Sequence, residues 1–209
     1  MMTRRITQLL IGLAMYGISL AMFIRAGLGL DPWDVFHQGL AVKTGFSIGV
    51  VVIAVSFLVL LLWIPLRQMP GVGTIANAIL VGLFADLGLW LIPEFSHLGG
   101  QIALLAGAVL LNGIASACYI GARLGPGARD GLMTGLVRRT GWSVRLVRTG
   151  IEVVVLVVGV LLGGSVGVAT VVYALAIGPI VQVLLPKFMV PEQPKATAPT
   201  ESVEAVEAA

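Results

Sequence analysis

Charged residues are scarce in this sequence. Only 11% of its 209 residues are Asp, Glu, Lys or Arg, whereas 58% are hydrophobic, and the mean hydropathy is +1.02. A soluble domain carries about 25% charged residues, because such side chains cover much of its water-facing surface. The composition therefore excludes an ordinary soluble protein and, despite a net charge of +3, a nucleic-acid-binding domain. It predicts an all-α, polytopic membrane protein whose main partner is the lipid bilayer.

Cysteine and histidine are equally scarce. The one cysteine, Cys118, excludes an intrachain disulfide, and its spacing to His37 and His97 does not match that of metal ligands. The sequence therefore predicts no metal site and no cofactor. We find no P-loop, no H-E-x-x-H motif and no nucleophile–base pair, and no strand precedes Gly27-Leu28-Gly29 as a dinucleotide fingerprint requires. Nothing in the sequence indicates an enzyme.

Six stretches reach the length of about 20 largely apolar residues that a membrane-spanning helix needs. The predicted spans are residues 6–24, 47–66, 72–92, 101–122, 143–162 and 166–185. The first is predicted to be an uncleaved anchor, because its apolar run exceeds the roughly 15 residues of a signal peptide and no A-x-A site follows. Four tryptophans lie near span ends, where an aromatic belt is expected: Trp33, Trp63, Trp90 and Trp142.

The basic residues are distributed unevenly between the two sides of the membrane. If the N-terminus is cytoplasmic, 11 of the 13 Lys and Arg residues lie inside, and only Arg25 and Lys43 lie outside. This bias agrees with the positive-inside rule and predicts that both termini are cytoplasmic. Residues 188–209 are rich in Pro, Ala, Thr and Glu, and they are predicted to form a disordered cytoplasmic tail.

The two halves of the chain repeat each other at a constant offset of 96 residues. Identical pairs at this offset include Asp34/Asp130, Thr44/Thr140, Gly45/Gly141 and Ser47/Ser143. Polar and glycine matches at one offset indicate an internal duplication. The predicted units are residues 1–96 and 97–187, each with three spans and a short motif helix. Because three is odd, the second repeat is predicted to lie inverted relative to the first.

A short motif helix follows the first span of each repeat. Asp31 is the predicted N-cap of the first, Pro32 its first helical residue and Gly45 its C-terminal stop. Each motif helix has about 12 residues, or roughly 17 Å, which is about half a bilayer. Such a helix either lies in the interface or re-enters the membrane, and the sequence leaves both alternatives open.

Asp34 and Asp130 are the first candidates for a site. They either bind a cation or proton, or form gating pairs with Arg25, Arg123 and Arg129. Alternatively, each caps its own short helix. Four arginines surround the second motif and either form an anion site or only set orientation: Arg123, Arg129, Arg138 and Arg139.

Four further polar residues in predicted spans are candidates by position: Asp86, Asn77, Asn112 and Glu152. Glu152 is expected to pair with Arg148 one helical turn before it. Asp86 has no partner nearby in sequence. It therefore needs a polar interior, which Asn77, Asn112, Gln182 or Thr170 would supply through interhelical hydrogen bonds.

Three segments carry a resemblance to a known family. They are the P-W-D-V-x-H-Q-G-L run that ends at Leu40, W-I-P-L-R-Q from Trp63, and L-G-P-G-x-R-D-G-L-M-T-G-L from Leu124. With them the sequence resembles the bacterial YczE/YyaS/YitT-like integral membrane proteins over residues 5–187. The resemblance implies the bacterial inner membrane, and it carries over no site residue and no mechanism.

Two functions remain open from the sequence. The first is secondary transport of a small solute, with an anion or organic acid as a candidate, by rocking one repeat against the other. The second is a non-transporting membrane partner that assembles or regulates a neighbouring enzyme or secretion system. Homo-oligomerisation is compatible with either function.

Overall fold

In the computed structural model, the described residues are 2–191, and these form eight helices. They are α1 (Met2–Ala26), α2 (Pro32–Thr44), α3 (Ile48–Trp63), α4 (Val72–Leu91), α5 (Leu98–Gly121), α6 (Ala128–Thr140), α7 (Val144–Leu161) and α8 (Val168–Phe188). The all-α prediction is confirmed for this range. The predicted disordered tail falls almost entirely on residues 192–209, which lie outside the described residues.

Within residues 2–191, four helices are long and apolar enough to cross a membrane, namely α1, α4, α5 and α8. A fifth candidate is the pair α2 and α3, which is bent by 114°. The multi-pass membrane class is thus supported. Of the predicted spans, those in α3 and α7 do not meet the criteria of length and few charges as single helices. The 16 residues of α3 rise only about 24 Å, and α7 carries Arg145, Arg148 and Glu152.

The two motif helices, α2 and α6, begin and end as local sequence signals require. Asp31 accepts hydrogen bonds from the backbone amides of Trp33 and Asp34 at 2.9 and 3.0 Å, as an N-cap does. Gly45 and Gly141 end the two helices in the left-handed region, with φ of 75° and 72°. A glycine adopts this conformation without steric cost, and the predicted caps of α2 are confirmed.

Helix starts in the second half of the chain recur 96 residues after those in the first. The starts of α2, α3 and α4 correspond in this way to those of α6, α7 and α8. Contacts between the halves recur too, because the amide of Gly73 donates to Leu124 O at 2.8 Å and that of Ala169 donates to Leu28 O at 2.9 Å. Each half therefore donates a backbone hydrogen bond to the loop that precedes the motif helix of the other half.

A second pair of equivalent hydrogen bonds strengthens this exchange. Thr74 Oγ1 donates to Pro126 O at 2.7 Å, and Thr170 Oγ1 donates to Leu30 O at 2.6 Å. These hydroxyls satisfy carbonyls of non-helical backbone, which would be costly to leave unpaired inside a membrane.

The first helices of the two halves, α1 and α5, pack antiparallel. Gln8 Nε2 donates to Cys118 O at 2.9 Å near one end of the pair, and Asn112 Nδ2 donates to Ser19 Oγ at 2.9 Å further along. Close approach is possible because Gly12 leaves room for the backbone of Tyr119. The helices α1 and α5, which begin 96 residues apart, thus run in opposite directions.

By contrast, the first and last helices of each half run parallel. In the first half, Gly17 of α1 packs on Val81 of α4, and Arg25 Nη2 donates to Leu89 O at 2.6 Å. In the second half, α5 and α8 run side by side from the Asn112–Tyr173 hydrogen bond towards their C-terminal ends.

The two ends of the described chain lie together. Arg5 Nη2 donates to Pro191 O at 2.8 Å, and Gln8 Nε2 also donates to Phe188 O at 2.7 Å. The first turn of α1 and the end of α8 therefore lie on the same side of the helix bundle.

Candidate functional site

A cavity of about 410 Å³ lies where the two halves meet. All eight helices contribute to its wall, one residue of each being Tyr16, Trp33, Val52, Asn77, Tyr119, Arg129, Ile151 and Tyr173. Several lining residues are 96 positions apart, such as Asn77 and Tyr173 or Val81 and Ile177. The N-terminal ends of both motif helices border the cavity, which has the size of a small-molecule site.

At one end of the cavity, Arg129 joins the two motif helices. Its Nη2 lies 3.3 Å from Asp34 Oδ1 and its Nη1 lies 3.8 Å from Asp31 Oδ1. Its guanidinium carbon stands 5.0 Å from the ring centroid of Trp33, a cation–π contact. Asp34 also lies 3.1 Å from Nδ1 of His37, and both side chains are buried. One guanidinium of the second half therefore serves two carboxylates of the first.

Asp130, the equivalent of Asp34, has different surroundings. The hydroxyl of Tyr119 donates to its Oδ2 at 3.3 Å, and within residues 2–191 it forms no ion pair. Asp130 also borders a second cavity of about 450 Å³, next to Arg123, Gly125 and Pro126. The two aspartates thus occupy equivalent positions in sequence but different positions relative to the cavities.

Of the arginines predicted as partners of Asp34, Arg129 contacts it and Arg25 does not. Arg25 does not pair with Asp34, because it forms an ion pair with Glu94 and bonds the carbonyl of Leu89 at the far end of α4. For the four arginines around the second motif, the contacts of two bear on the alternatives of an anion site or an orientation role. Arg139 bonds Pro65 O at 3.2 Å and Arg129 turns to the carboxylates of the first half, so these two arginines do not share one anion site.

The other predicted polar residues divide between the cavity and the helix contacts. Asn77 lines the cavity. Asn112 is not part of the cavity lining. It joins three helices instead, donating to Ser19 Oγ and accepting from the Tyr173 hydroxyl at 3.2 Å. Glu152 lines the cavity and accepts from Arg148 Nε at 3.0 Å, so the expected i,i+4 pair is present.

Asp86 finds a partner that the sequence did not suggest. It accepts hydrogen bonds from Ser47 Oγ at 2.6 Å and from the Gly49 amide at 2.8 Å. The carboxylate of α4 therefore caps the N-terminus of α3, and none of the four predicted partners contacts it. A helix cap supplied from another helix has no signature in local sequence.

Aromatic residues are the part of the site that the sequence did not single out. Trp33 lies in the cavity wall and Trp63 is buried, donating to Ala128 O at 3.0 Å, so both contact protein and not the lipid that an aromatic belt would face. Tyr16, Tyr119 and Tyr173 also line the cavity. The 96-residue offset pairs Tyr16 with Asn112 and Tyr173 with Asn77. This matching of polar residues within apolar helices was the one signal in the sequence that pointed to the tyrosines.

Comparison with known proteins agrees with the resemblance carried by the motifs. The model of a family of unknown function, DUF6198, matches residues 3–186. An uncharacterized protein of Haemophilus influenzae is 37% identical over 182 residues, covering 87% of this chain and 84% of its own. The uncharacterized membrane protein YczE of Bacillus subtilis is 34% identical over 173 residues, covering 82% and 80%.

The protein YyaS of Bacillus subtilis is 24% identical over 181 residues, covering 84% of this chain and 90% of its own. The predicted kinship with YczE- and YyaS-like proteins is thereby confirmed. No solved structure matches the chain.

Proposed function

The chain belongs to the family of unknown function DUF6198, and we propose that it is a secondary transporter, not an enzyme, that moves a small solute through the cavity between its two halves. The observation that carries this proposal is the cavity itself. It is bordered by all eight helices and lies at the junction of two equivalent halves. A binding site at a repeat interface, approached by the N-termini of short helices, is the arrangement that many secondary transporters use.

The proposed topology has six crossings in two inverted repeats. Since α1 and α4 run parallel, the chain between them must return across the membrane once, and α3 is the segment that does so. The same reasoning makes α7 the return between α5 and α8. The antiparallel packing of α1 on α5 supports the inversion, and the adjacent chain ends require an even number of crossings.

The motif helices are proposed to re-enter the membrane from opposite faces. Their N-terminal ends border one cavity, and Arg129 at the start of α6 reaches Asp34 at the start of α2. The non-helical backbone before each helix is satisfied by the other half through Thr74 and Thr170. Backbone of this kind is tolerated at membrane depth where protein surrounds it or where it lines a cavity.

Transport would proceed by rocking one repeat against the other. The two motifs differ in a way that supports two alternating states, since Asp34 is only 3% exposed whereas Asp130 borders the second cavity. In the exchanged state, Asp34 would open to the opposite face and Asp130 would be enclosed. Breaking the Arg129–Asp34 contact is the step that such an exchange requires.

The proposed location is the inner (plasma) membrane of a bacterial cell, with both termini in the cytoplasm. The excess of basic residues on one predicted side supports this orientation. The packing of Arg5 on Pro191 supports a common side for both ends of the described chain.

Thiol labelling from one side tests the inversion. Lys43 and Arg139 are exposed equivalents at the ends of α2 and α6, so Lys43→Cys and Arg139→Cys are matched probes in a Cys118→Ala background. We expect an impermeant maleimide added to right-side-out vesicles to label position 43 and spare position 139. Labelling of both positions from one side would exclude the inverted arrangement.

Solute uptake tests transport itself. Proteoliposomes that contain the wild type are expected to take up at least one member of a panel of small anions, cations and amphiphiles. The Asp34→Asn/Asp130→Asn double variant should lose that uptake, whereas Glu94→Gln, which removes a charge away from the cavity, should retain it. Absence of uptake of every solute by the folded wild type would favour the alternative, a non-transporting partner of an enzyme or secretion system.

A further inference from the structure

We infer that the cavity binds an organic cation that carries an ammonium group. This inference names the substrate class and rests on the proposed function. It departs from the anion that the arginines of the second motif suggested, because only Arg129 of those four lines the cavity, where Asp31 and Asp34 share it. Three features of the cavity lead to it, namely its charge, its aromatic wall and the oxygens gathered beside Gly127.

The first feature is a surplus of negative charge. Within the described residues, the charged groups at the cavity or directly behind it are four carboxylates (Asp31, Asp34, Asp130, Glu152) and two guanidiniums (Arg129, Arg148). Arg148 is paired with Glu152, and Arg129 is shared between Asp31 and Asp34. At full ionisation the group therefore carries two uncompensated negative charges. Such charge is costly within a membrane, and a bound cation would compensate it.

The second feature is the chemistry of the wall. Four aromatic side chains face the cavity, namely Tyr16, Trp33, Tyr119 and Tyr173. Tyr16 and Tyr119 meet edge to face, with ring centroids 6.0 Å apart, beside Asp130. Aromatic faces attract alkylammonium groups through the ring quadrupole. The protein already contains one such contact, between the guanidinium of Arg129 and Trp33.

The third feature is a group of three side-chain oxygens around Gly127. A Cβ at this residue would stand 3.3 Å from Asp130 Oδ2, 3.4 Å from the Tyr119 hydroxyl and 3.7 Å from Asn77 Oδ1. Its equivalent in the first half is Asp31, whose side chain instead caps α2. Three oxygens thus gather at one point of the wall, and an ammonium group donates hydrogen bonds to such acceptors.

Other ligand classes fit this lining less well. A helix N-terminus normally favours a bound anion. Here the carboxylates of Asp31 and Asp130 already occupy the N-termini of α2 and α6, and they would repel one. A tightly held metal ion would need several ligands, and no group of three or more His, Cys, Asp or Glu residues that could hold one occurs in residues 2–191. The volume of about 410 Å³ suits a small organic molecule.

Calorimetric binding to the purified full-length protein in lipid nanodiscs tests the inference. The probes are butylammonium, tetraethylammonium and butyrate, of which butylammonium and butyrate are similar in size but opposite in charge. We expect the wild type to bind at least one ammonium ion and to bind butyrate more weakly. Binding of neither ammonium ion, or tighter binding of butyrate, overturns the inference.

Variants place the binding at the cavity. Asp130→Asn should weaken ammonium binding by about tenfold or more, since it removes the carboxylate that lies beside Gly127 without an ion-pair partner among the described residues. Glu94→Gln makes the same charge change away from the cavity and should bind as the wild type does. Asn77→Asp adds a charge beside Asp130 and should strengthen binding. An unchanged affinity of folded Asp130→Asn, or weaker binding by Asn77→Asp, overturns the inference.

Uptake by proteoliposomes separates this inference from the proposed function. If butyrate enters and neither ammonium ion enters or binds, transport stands and the cation site fails. If ammonium ions bind at the cavity and no solute enters, the cation site stands and transport fails.

Discussion

Replacing Arg129 with methionine is expected to destabilise the folded protein by about 3 kcal/mol. Methionine has a similar length and keeps some of the packing on Trp33, so the substitution mainly removes charge and hydrogen bonds. It leaves Asp31 and Asp34 buried without the guanidinium that lies between them. The two halves of the chain also lose their shared ionic contact at the cavity.

The magnitude follows from the geometry of Arg129. At 3.3 and 3.8 Å, and with an effective dielectric constant of about 20, each attraction is worth about 4–5 kcal/mol. Desolvation of the three groups offsets much of this gain, and removal of one partner of a buried pair typically costs about 3–5 kcal/mol. Because the Arg129 side chain is 29% exposed, the lower end of that range applies.

The assay is the free energy of unfolding in detergent micelles, followed by tryptophan fluorescence. Arg138→Met is the matched control, since Arg138 is an exposed arginine on the same helix, and it should change stability by less than about 0.5 kcal/mol. Adding Asp34→Asn to Arg129→Met should restore part of the loss, because it removes one unpaired carboxylate. Equal stability of the Arg129→Met and Arg138→Met variants would refute the reasoning.

Three further predictions concern contacts between distant segments of the chain. Thr74→Val and Thr170→Val should each lower the free energy of unfolding by about 1 kcal/mol or more, because each leaves a carbonyl of the other half unpaired. Clearly unequal losses in unfolding measurements would contradict the equivalence of the two contacts. Gly17→Ala should lower stability by about 1–3 kcal/mol, since the new Cβ would stand 2.5 Å from a carbonyl oxygen of α4, whereas Gly150→Ala, with open space around it, should not destabilise the protein. Asp86→Ala should cost about 1–3 kcal/mol by removing the acceptor of the Gly49 amide and the Ser47 hydroxyl, although Ser47 still caps the Val50 amide. A neutral result in thermal melts would exclude that role.

Local signals in the sequence were sufficient for individual helices. Asp31 and Pro32 at one end of α2 and Gly45 at the other act within a few residues, so their effect is visible without a fold. The 96-residue offset likewise predicted where each helix of the second half begins. The number of crossings does not follow as directly, because α3, although strongly apolar, has only 16 residues and α7 carries three charged residues.

The partners of the charged residues were only partly accessible, because the sequence offered Arg25, Arg123 and Arg129 to Asp34 without choosing among them. Arg25 lies close to the first motif in sequence, yet it pairs with Glu94, while Asp34 pairs with Arg129 from the other half, 95 residues away. Asp86 caps a helix that begins 38 residues earlier. An ion pair depends on the position of two side chains in space, and sequence spacing fixes that only within a single helix, as for Arg148 and Glu152.

By itself, the sequence determined the membrane class of the chain, where its motif helices begin and end, and that its two halves match at an offset of 96 residues. These properties follow from composition, caps and repetition, which act locally or along the chain. Only the tertiary structure decided that the two motif helices meet at one cavity, that Arg129 is shared by the carboxylates of the opposite half, and that four aromatic rings line the wall. Those features arise because antiparallel packing of α1 on α5 brings distant segments together, and no local pattern encodes that juxtaposition.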